Sequence, residues 1–242
     1  MNLFAYDISP AIVQSCRQMV FTRPGGSSFK IKSSRPVCYM TRRQDLDALS
    51  LNKVTAAGGQ FLKIDRLDSI TLGPRGVKTS FFCRGRQMNC RARYIVGADG
   101  ANSRVRCLLN LPDQSIIRYP ALEADIRVPR HRDVDMAFDF SRGIQGYYWI
   151  FPKTDHVNIG IFAASPHETV NQRLLVEFAQ TRFGTAALEN VKGYPIAVGG
   201  SRPCAGMARG LLAGDAACLT GVRAYEVTVE SQLQCDALPG SE

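Results

Sequence analysis

Alternation of apolar and polar positions divides most of the chain into short strands, with few stretches of helical period. Gln60 to Ile64, Asp68 to Leu72, Val77 to Cys83 and Arg91 to Ala98 read as strands. The turn Gly73-Pro74-Arg75-Gly76 and the corner Arg84-Gly85-Arg86 separate them, which predicts a β-meander. Within the last segment, Tyr94-Ile95-Val96-Gly97-Ala98 is apolar nearly throughout, the pattern of a strand covered on both faces, and it stops at Asp99-Gly100. A second group of strands follows Pro112: Ala121 to Val128, Met136 to Phe140, Gly146 to Phe151 and His156 to Ala163, then Val191 to Val198 and Gly210 to Ala213.

Helical signals are sparser. Ala5 to Arg17 reads as the end of a helix, followed by a short strand at Val20-Phe21, the turn Arg23-Pro24-Gly25-Gly26 and a strand from Ser28 to Ile31. Thr41 with Gln44 three residues on fits a capping box for a helix whose apolar face runs through Leu46, Leu49 and Val54 and which Gly58-Gly59 stops. Ser165-Pro166-His167-Glu168 predicts a second helix start, with Val170, Leu174, Leu175 and Phe178 on one face and Gly184 at its end. No internal repeat or low-complexity linker interrupts the pattern. Strands and helices in this order predict an α/β half and a sheet-plus-helix half.

Composition narrows the function classes. The 242 residues are 45% apolar and 21% charged, ordinary for a globular protein with a substantial core. No apolar run is long enough to span a bilayer, and Met1 to Pro10 lack the pattern of a secretory signal, so a cytoplasmic location is expected. The 8 cysteines form no CxxC, and with 3 histidines the chain offers little for a metal site; reduced cysteines used as small core residues are expected. The net charge of +9 is spread along the chain without a basic, aromatic-interleaved block, which argues for a solvated basic surface and against nucleic acid as partner.

Three segments carry candidate chemistry. In Gly97-Ala98-Asp99-Gly100-Ala101-Asn102-Ser103-Arg104-Val105-Arg106, a buried strand stops at a carboxylate and a glycine, and Ser103 and Arg106 open a short helix. Such a corner suits a diphosphate, and a plain turn is the alternative. Gly210-Leu211-Leu212-Ala213-Gly214-Asp215-Ala216-Ala217 repeats the design, with a strand-end carboxylate suited to sugar or ribityl hydroxyls and alanines that allow close backbone approach. Two strand ends more than a hundred residues apart can contribute to one cleft of an open sheet. In Tyr147-Tyr148-Trp149-Ile150-Phe151-Pro152, alternation places Tyr147, Trp149 and Phe151 on one face, with Val157-Asn158-Ile159-Gly160 following. That face could line a groove for a long apolar substrate; spacing alone favours packing against the Val170–Phe178 helix.

Together these segments resemble a known family. Asp99-Gly100-x-x-Ser103-x-x-Arg106 is similar to the DG motif of FAD-dependent monooxygenases and geranylgeranyl reductases, and Gly214-Asp215-Ala216-Ala217 to their GD motif. Arg43-Gln44-Asp45-Leu46-Asp47 resembles their R-x-x-[FL]-D helix start, and Tyr147-x-Trp149-x-Phe151-Pro152 the YxWxFP signature that separates geranylgeranyl reductases from aromatic hydroxylases. The resemblance, which covers about Arg43 to Ala217, implies an α/β chain: an incomplete three-layer FAD/NAD(P)-binding fold with an α+β substrate-binding sheet domain. The corresponding regions are 1–111 with the DG motif, 112–203 as the substrate domain, and 204–242 as the return to the FAD-binding domain and an atypical tail. It implies FAD as cofactor, NAD(P)H or another donor as reductant, and hydride delivery from reduced flavin to a prenyl double bond. Arg43, Asp99, Gly100, Ser103, Arg106, Gly214, Asp215 and Ala216 would then hold FAD, and Tyr147, Trp149 and Phe151 would line the prenyl groove. A lipid substrate implies peripheral contact with a membrane.

The chain departs from that pattern at two places. No GxGxxG occurs, although a dinucleotide needs such a turn for its diphosphate, and the proline and later glycines that follow the GD motif in the family are absent from Cys218 to Glu226, where Gly221 stands alone. The expectation is a partial chain with a changed reading frame or a mis-joined segment near its end. Apolar edges around Tyr94 to Ala98 would then stand exposed and leave the fold marginally stable.

Overall fold

In a computed structural model, the protein is described over residues 5–111, 116–129, 133–198 and 206–218. The expected boundary at Pro112 and the residues His131, Cys204, Cys235 and 219–242 of the tail lie outside these. The chain divides into two compact units, one from Met1–Phe61 with Pro120–Tyr194 and the other from Leu62–Tyr119 with Pro195–Glu242. Residues 1–61 therefore group with the sheet-plus-helix region rather than with the DG motif, unlike the expected division at 111 and 203.

The first unit is built on a 7-stranded sheet of order β13-β9-β12-β11-β10-β2-β3. Its strands are β2 (Gln18–Thr22), β3 (Ser28–Lys32), β9 (Ile117–Ile126), β10 (Met136–Asp139), β11 (Gly146–Pro152), β12 (Val157–Ala163) and β13 (Glu189–Val198). β10 runs parallel to β2, and β11 and β12 are antiparallel to their neighbours. Alternation gives each central strand two different faces. Tyr148, Ile150, Val157, Ile159 and Ile161 point to one side, where they form a core with Leu175, Phe178 and Ala179 of helix α3 (Gln172–Phe183). Tyr148 and Phe178 have ring centroids 4.8 Å apart. The helix covers the face opposite Tyr147, Trp149 and Phe151, which overturns the packing that spacing alone favours. One end of that second face is closed by β1 (Ile12–Cys16) paired with β4 (Cys38–Thr41), whose Cys16 and Met40 pack with Met136, Phe138 and Phe151.

Several local expectations change. Ala5 to Arg17 is no helix end: Pro10 sits in a single 3-10 turn at Ser9–Ala11, and the β-branched pair Ile12-Val13 continues as β1. Thr41 is held in the ladder opposite Ile12, so helix α1 (Arg43–Ala56) starts from Arg42, whose extended backbone provides no side-chain cap. Its residues Leu46 and Leu49 are half-buried and Val54 is exposed; the turn at Gly58-Gly59 ends it. Ser165 to Glu168 forms a turn, and Asn171 caps α3 by accepting from the Leu174 amide at 3.2 Å; Gly184, in the left-handed conformation, closes it.

The second unit holds the meander β5 (Arg66–Gly73), β6 (Gly76–Cys83) and β7 (Arg86–Ala92), and a small sheet of order β14-β15-β8 from β8 (Ile95–Gly97), β14 (Gly206–Met207) and β15 (Gly210–Leu212). Gln60 to Ile64 does not join the meander: pairing begins where the Asp65 amide donates to Phe82, and Phe61, Leu62 and Ile64 are exposed. The segment expected from Arg91 to Ala98 is two strands, divided at Arg93-Tyr94. Among the described residues β8 is an edge strand with one covered face rather than two; Val96 stands 57% exposed beside Tyr94. Helix α2 (Arg104–Leu108) packs Val105 and Leu109 against Leu212, Ala216 and Ala217. Of the described cysteines, Cys16, Cys83 and Cys218 are buried while Cys90 and Cys107 are exposed. Among the described residues, no helix is long and apolar enough to cross a membrane.

The sheet–helix core is the main stabilising element of the first unit. Phe178→Ala is expected to cost about 3–5 kcal/mol in urea unfolding followed by circular dichroism, against less than about 1 kcal/mol for Leu51→Ala on the exposed face of α1.

Candidate functional site

Both glycine–aspartate corners lie side by side in the second unit. β8 and β15 are parallel neighbours with Leu212 opposite Gly97, so Asp99-Gly100 and Gly214-Asp215 leave the sheet at the same end. Close packing requires glycine at Gly97, where a Cβ would come within 2.7 Å of Val105 and 2.8 Å of Leu212. The Asp99 carboxylate turns inward to the start of α2. It accepts from Ser103 Oγ at 2.5 Å and from the amides of Arg104 and Val105 at 2.7 and 3.1 Å. Burial alone would raise its pKa, but these hydrogen bonds outweigh it and hold the carboxyl below its ordinary range. Ser103, fully buried, accepts in turn from the Arg106 amide at 2.9 Å.

Arg106 ties the two corners together. Its guanidinium donates to the carbonyls of Ala216 (2.8 Å) and Ala101 (2.9 Å) and contacts Cys218 Sγ at 3.0 Å. Asp99, Ser103 and Arg106 therefore act first as the frame of the corner. What faces outward is different: Asp215 is exposed, and a Cβ built on Gly100 (φ +81) or Gly214 (φ +56) would meet nothing within 4 Å. Open backbone at two adjacent strand ends beside an exposed carboxylate fits a hydroxyl-rich nucleotide cofactor. Ala216 is fully buried beneath them.

Arg43, Tyr147, Trp149 and Phe151 belong to the first unit. Arg43 is exposed and pairs with Asp47 at 2.8 Å on the same helix. It lines a polar cavity of about 500 Å³ together with Phe151, Lys153, His156 and Asn158. His156 lies between Asp155 (2.8 Å) and Asp125 (3.5 Å), and Asp155 also receives Arg42 at 2.7 Å. Hydrogen bonds from His156 and Arg42 push the Asp155 carboxyl down to about 2. Lys153 donates to the Thr41 carbonyl at 2.8 Å, and burial lowers its pKa.

The aromatic face is wider than the three sequence-predicted residues. One cross-strand row runs Phe29, Phe21, Phe138, Trp149, Gly160 and Glu123 over β3, β2, β10, β11, β12 and β9. Phe21 stacks on Phe29 (5.1 Å) and on Phe138 (5.6 Å); Phe138 meets Tyr147 (5.5 Å) and Phe151 (5.7 Å); Trp149 stacks on Phe151 (5.9 Å). Burial raises the pKa of the Tyr147 phenol. Phe21 and Phe138 sit outside the YxWxFP signature, and only the strand pairing reveals their place.

Residues 17–220 match the FAD binding domain family. The chain belongs to that family, and FAD is the family's cofactor. It is 26% identical over 203 residues to an uncharacterized protein of Methanosarcina barkeri (81% of this chain, 50% of that protein). It is 26% identical over 170 residues to digeranylgeranylglycerophospholipid reductase 2 of Methanosphaera stadtmanae (65% and 43%). Over 144 residues it is 30% identical to the chloroplastic geranylgeranyl diphosphate reductase of Arabidopsis thaliana (50% and 29%). It thus spans half or less of the curated relatives it matches. The fold is that of the flavin-dependent monooxygenase PieE, solved with FAD and substrate (TM-score 0.62, 19% identity, 83% of this chain and 41% of that one).

Because Asp99 is charge-stabilised in the folded state, its contribution is present above about pH 4 and lost as pH falls through its lowered pKa. Asp99→Asn is expected to cost on the order of 1 kcal/mol near neutral pH, with the gap to the parent protein narrowing as the pH falls below about 4, in urea titrations at neutral and acid pH.

Proposed function

We propose that this chain is part of an FAD-dependent oxidoreductase of geranylgeranyl-reductase type, which reduces carbon–carbon double bonds of a prenyl chain. The observation that carries the reading is the continuous aromatic row from Phe29 to Trp149. With strands about 4.8 Å apart, Phe29 to Gly160 spans roughly 19 Å, a length suited to a polyisoprenoid and larger than a single phenolic ring needs. The YxWxFP signature and the likeness to two curated prenyl reductases support it.

In this reading, Gly100, Gly214 and Asp215 border FAD, while Asp99, Ser103, Arg106 and the buried Ala216 keep both corners in place. When bound, FAD supplies two-electron transfer, with NAD(P)H or another donor as the source. Tyr147, Trp149 and Phe151 lay the apolar chain along the sheet and exclude water from it. The enzyme works on a lipid substrate and meets the membrane peripherally. A second reading, an aromatic-ring monooxygenase, is favoured by the shared fold with PieE.

Product analysis separates them. With FAD, NADPH and geranylgeranyl diphosphate, mass spectrometry is expected to show products gaining pairs of hydrogens. Incorporation of an oxygen atom into a phenolic substrate instead would establish the second reading. A protein that quenches added FAD fluorescence but turns over neither substrate would overturn both readings.

A further inference from the structure

The geometry points to Asn158 and Gly160 as positioning residues that lay the Trp149 indole flat across the sheet and so set the length of chain the aromatic face accepts. This inference rests on the prenyl-reductase reading for its substrate, while its account of the indole stands on the first unit alone.

Trp149 and Gly160 are direct cross-strand partners on β11 and β12. A Cβ on Gly160 would come within 2.0 Å of Trp149 Cζ2 and 2.3 Å of Cε2. Only a residue without a side chain therefore lets the indole fold down over its partner strand. Folded down, it adds one ring thickness to the floor. Standing up, it would form a wall between β11 and β12 and cut the floor short.

The second constraint is polar. Trp149 Nε1 donates to Asn158 Oδ1 at 2.9 Å, two residues along the same face of β12. An asparagine amide could present either end to the indole, but here its other end is committed. Asn158 Nδ2 donates to Asp125 at 3.1 Å and to Glu123 at 3.4 Å, both on β9. Carboxylates accept only, so they force the amide to turn its oxygen toward the indole N–H. Asp125 is itself fixed from the far side by Asn190 of β13 at 2.9 Å and by His156 at 3.5 Å. The orientation of one ring is thus set by a chain of hydrogen bonds across four adjacent strands, from Asn190 through Asp125 and Asn158 to Trp149.

Trp149 is the only tryptophan in the protein, so its fluorescence reports this arrangement directly. In Asn158→Leu, emission is expected to shift to the red and acrylamide quenching to rise, with an unchanged circular dichroism spectrum. Asn158→Gln, which keeps an acceptor and a donor, recovers part of the change. Binding is measured by equilibrium dialysis with geranylgeraniol and with the shorter geraniol. Asn158→Leu is expected to weaken geranylgeraniol about three- to tenfold, the worth of one hydrogen bond. Gly160→Ala weakens it more, and geraniol, which needs only part of the floor, is affected about twofold or less in both variants. Because Asn158 acts through the indole N–H, Asn158→Leu adds nothing to the loss already caused by Trp149→Phe.

Unchanged Trp149 emission and quenching in Asn158→Leu would overturn the placement of the indole, as would equal losses for the long and short alcohols its role in chain length. If Gly160→Ala does not fold, the Asn158 variants carry the test, since they make no demand on the backbone. A parent protein that binds neither alcohol would instead sink the prenyl reading, and the fluorescence results would still decide whether Asn158 holds the ring.

Discussion

The first unit depends on strand β12 being burdened on both faces at once. Val157, Ile159 and Ile161 are fully buried against α3, and the residues between them carry a different load. Asn158 holds the indole, Gly160 makes room for it, and Phe162 meets Tyr147 at 5.3 Å. Because side chains alternate strictly, a slip of one residue against β11 or β9 would exchange these sets. It would bury Asn158 among aliphatic side chains without partners and bring isoleucines onto the aromatic face. The hydrophobic core and the candidate substrate face therefore share one register, and neither can drift while the other is kept.

Arg106 sets a comparable constraint in the second unit, by a different kind of force. Strand pairing alone brings Gly97 and Leu212 together, but the turns beyond them have no ladder to hold them. A guanidinium offers five donors in a fixed fork, and here three contacts fix carbonyls of both turns and the Cys218 sulfur. Lysine also has several donors, but they crowd on one nitrogen and lack the planar spread that reaches both turns. With Asp99 committed to Ser103 and to two amides, Asp99 and Arg106 build the corner, and the surface beyond it is formed by exposed Asp215 and the open backbone at Gly100 and Gly214. A motif aspartate is thus not by itself a ligand-binding aspartate.

Much of this was legible in the sequence. Strands at Ser28, Met136, Gly146 and Val157 follow from alternation and turn chemistry, and the two glycine–aspartate corners follow from apolar runs that end abruptly. The misreadings share one cause: local signals that tertiary pairing overrode. Thr41 has the chemistry of an N-cap but is held in a ladder with Ile12, and Ser165-Pro166 has the chemistry of a helix start but lies in a turn. Gln60 to Ile64 has strand composition but, among the described residues, no ladder. Alternation also placed Tyr147, Trp149 and Phe151 on one face, and spacing favoured α3 against that face; the helix covers the other one, since both sides of β11 are apolar and either could receive it. Phe21, Phe29 and Phe138 could not be joined to that face from sequence, because their alignment depends on a parallel pairing of β2 with β10 more than a hundred residues away.

The same fold carries oxygen-inserting chemistry in proteins such as PieE, so strand order cannot decide what this chain acts on. The decision lies in side chains that the fold leaves free. A row of phenylalanines on β3, β2 and β10 is compatible with any flat apolar ligand. What makes the row long is its continuation over β11 and β12, and that continuation needs a large ring opposite no side chain at all. Trp149 opposite Gly160 supplies it, and Asn158 removes the ring's alternative orientations by satisfying the one polar group it has. An unpaired indole N–H on an apolar face would favour turning toward water and raising the ring. A polar contact at the border of an apolar surface thus shapes that surface, because the requirement to satisfy one hydrogen-bond donor keeps an aromatic floor flat.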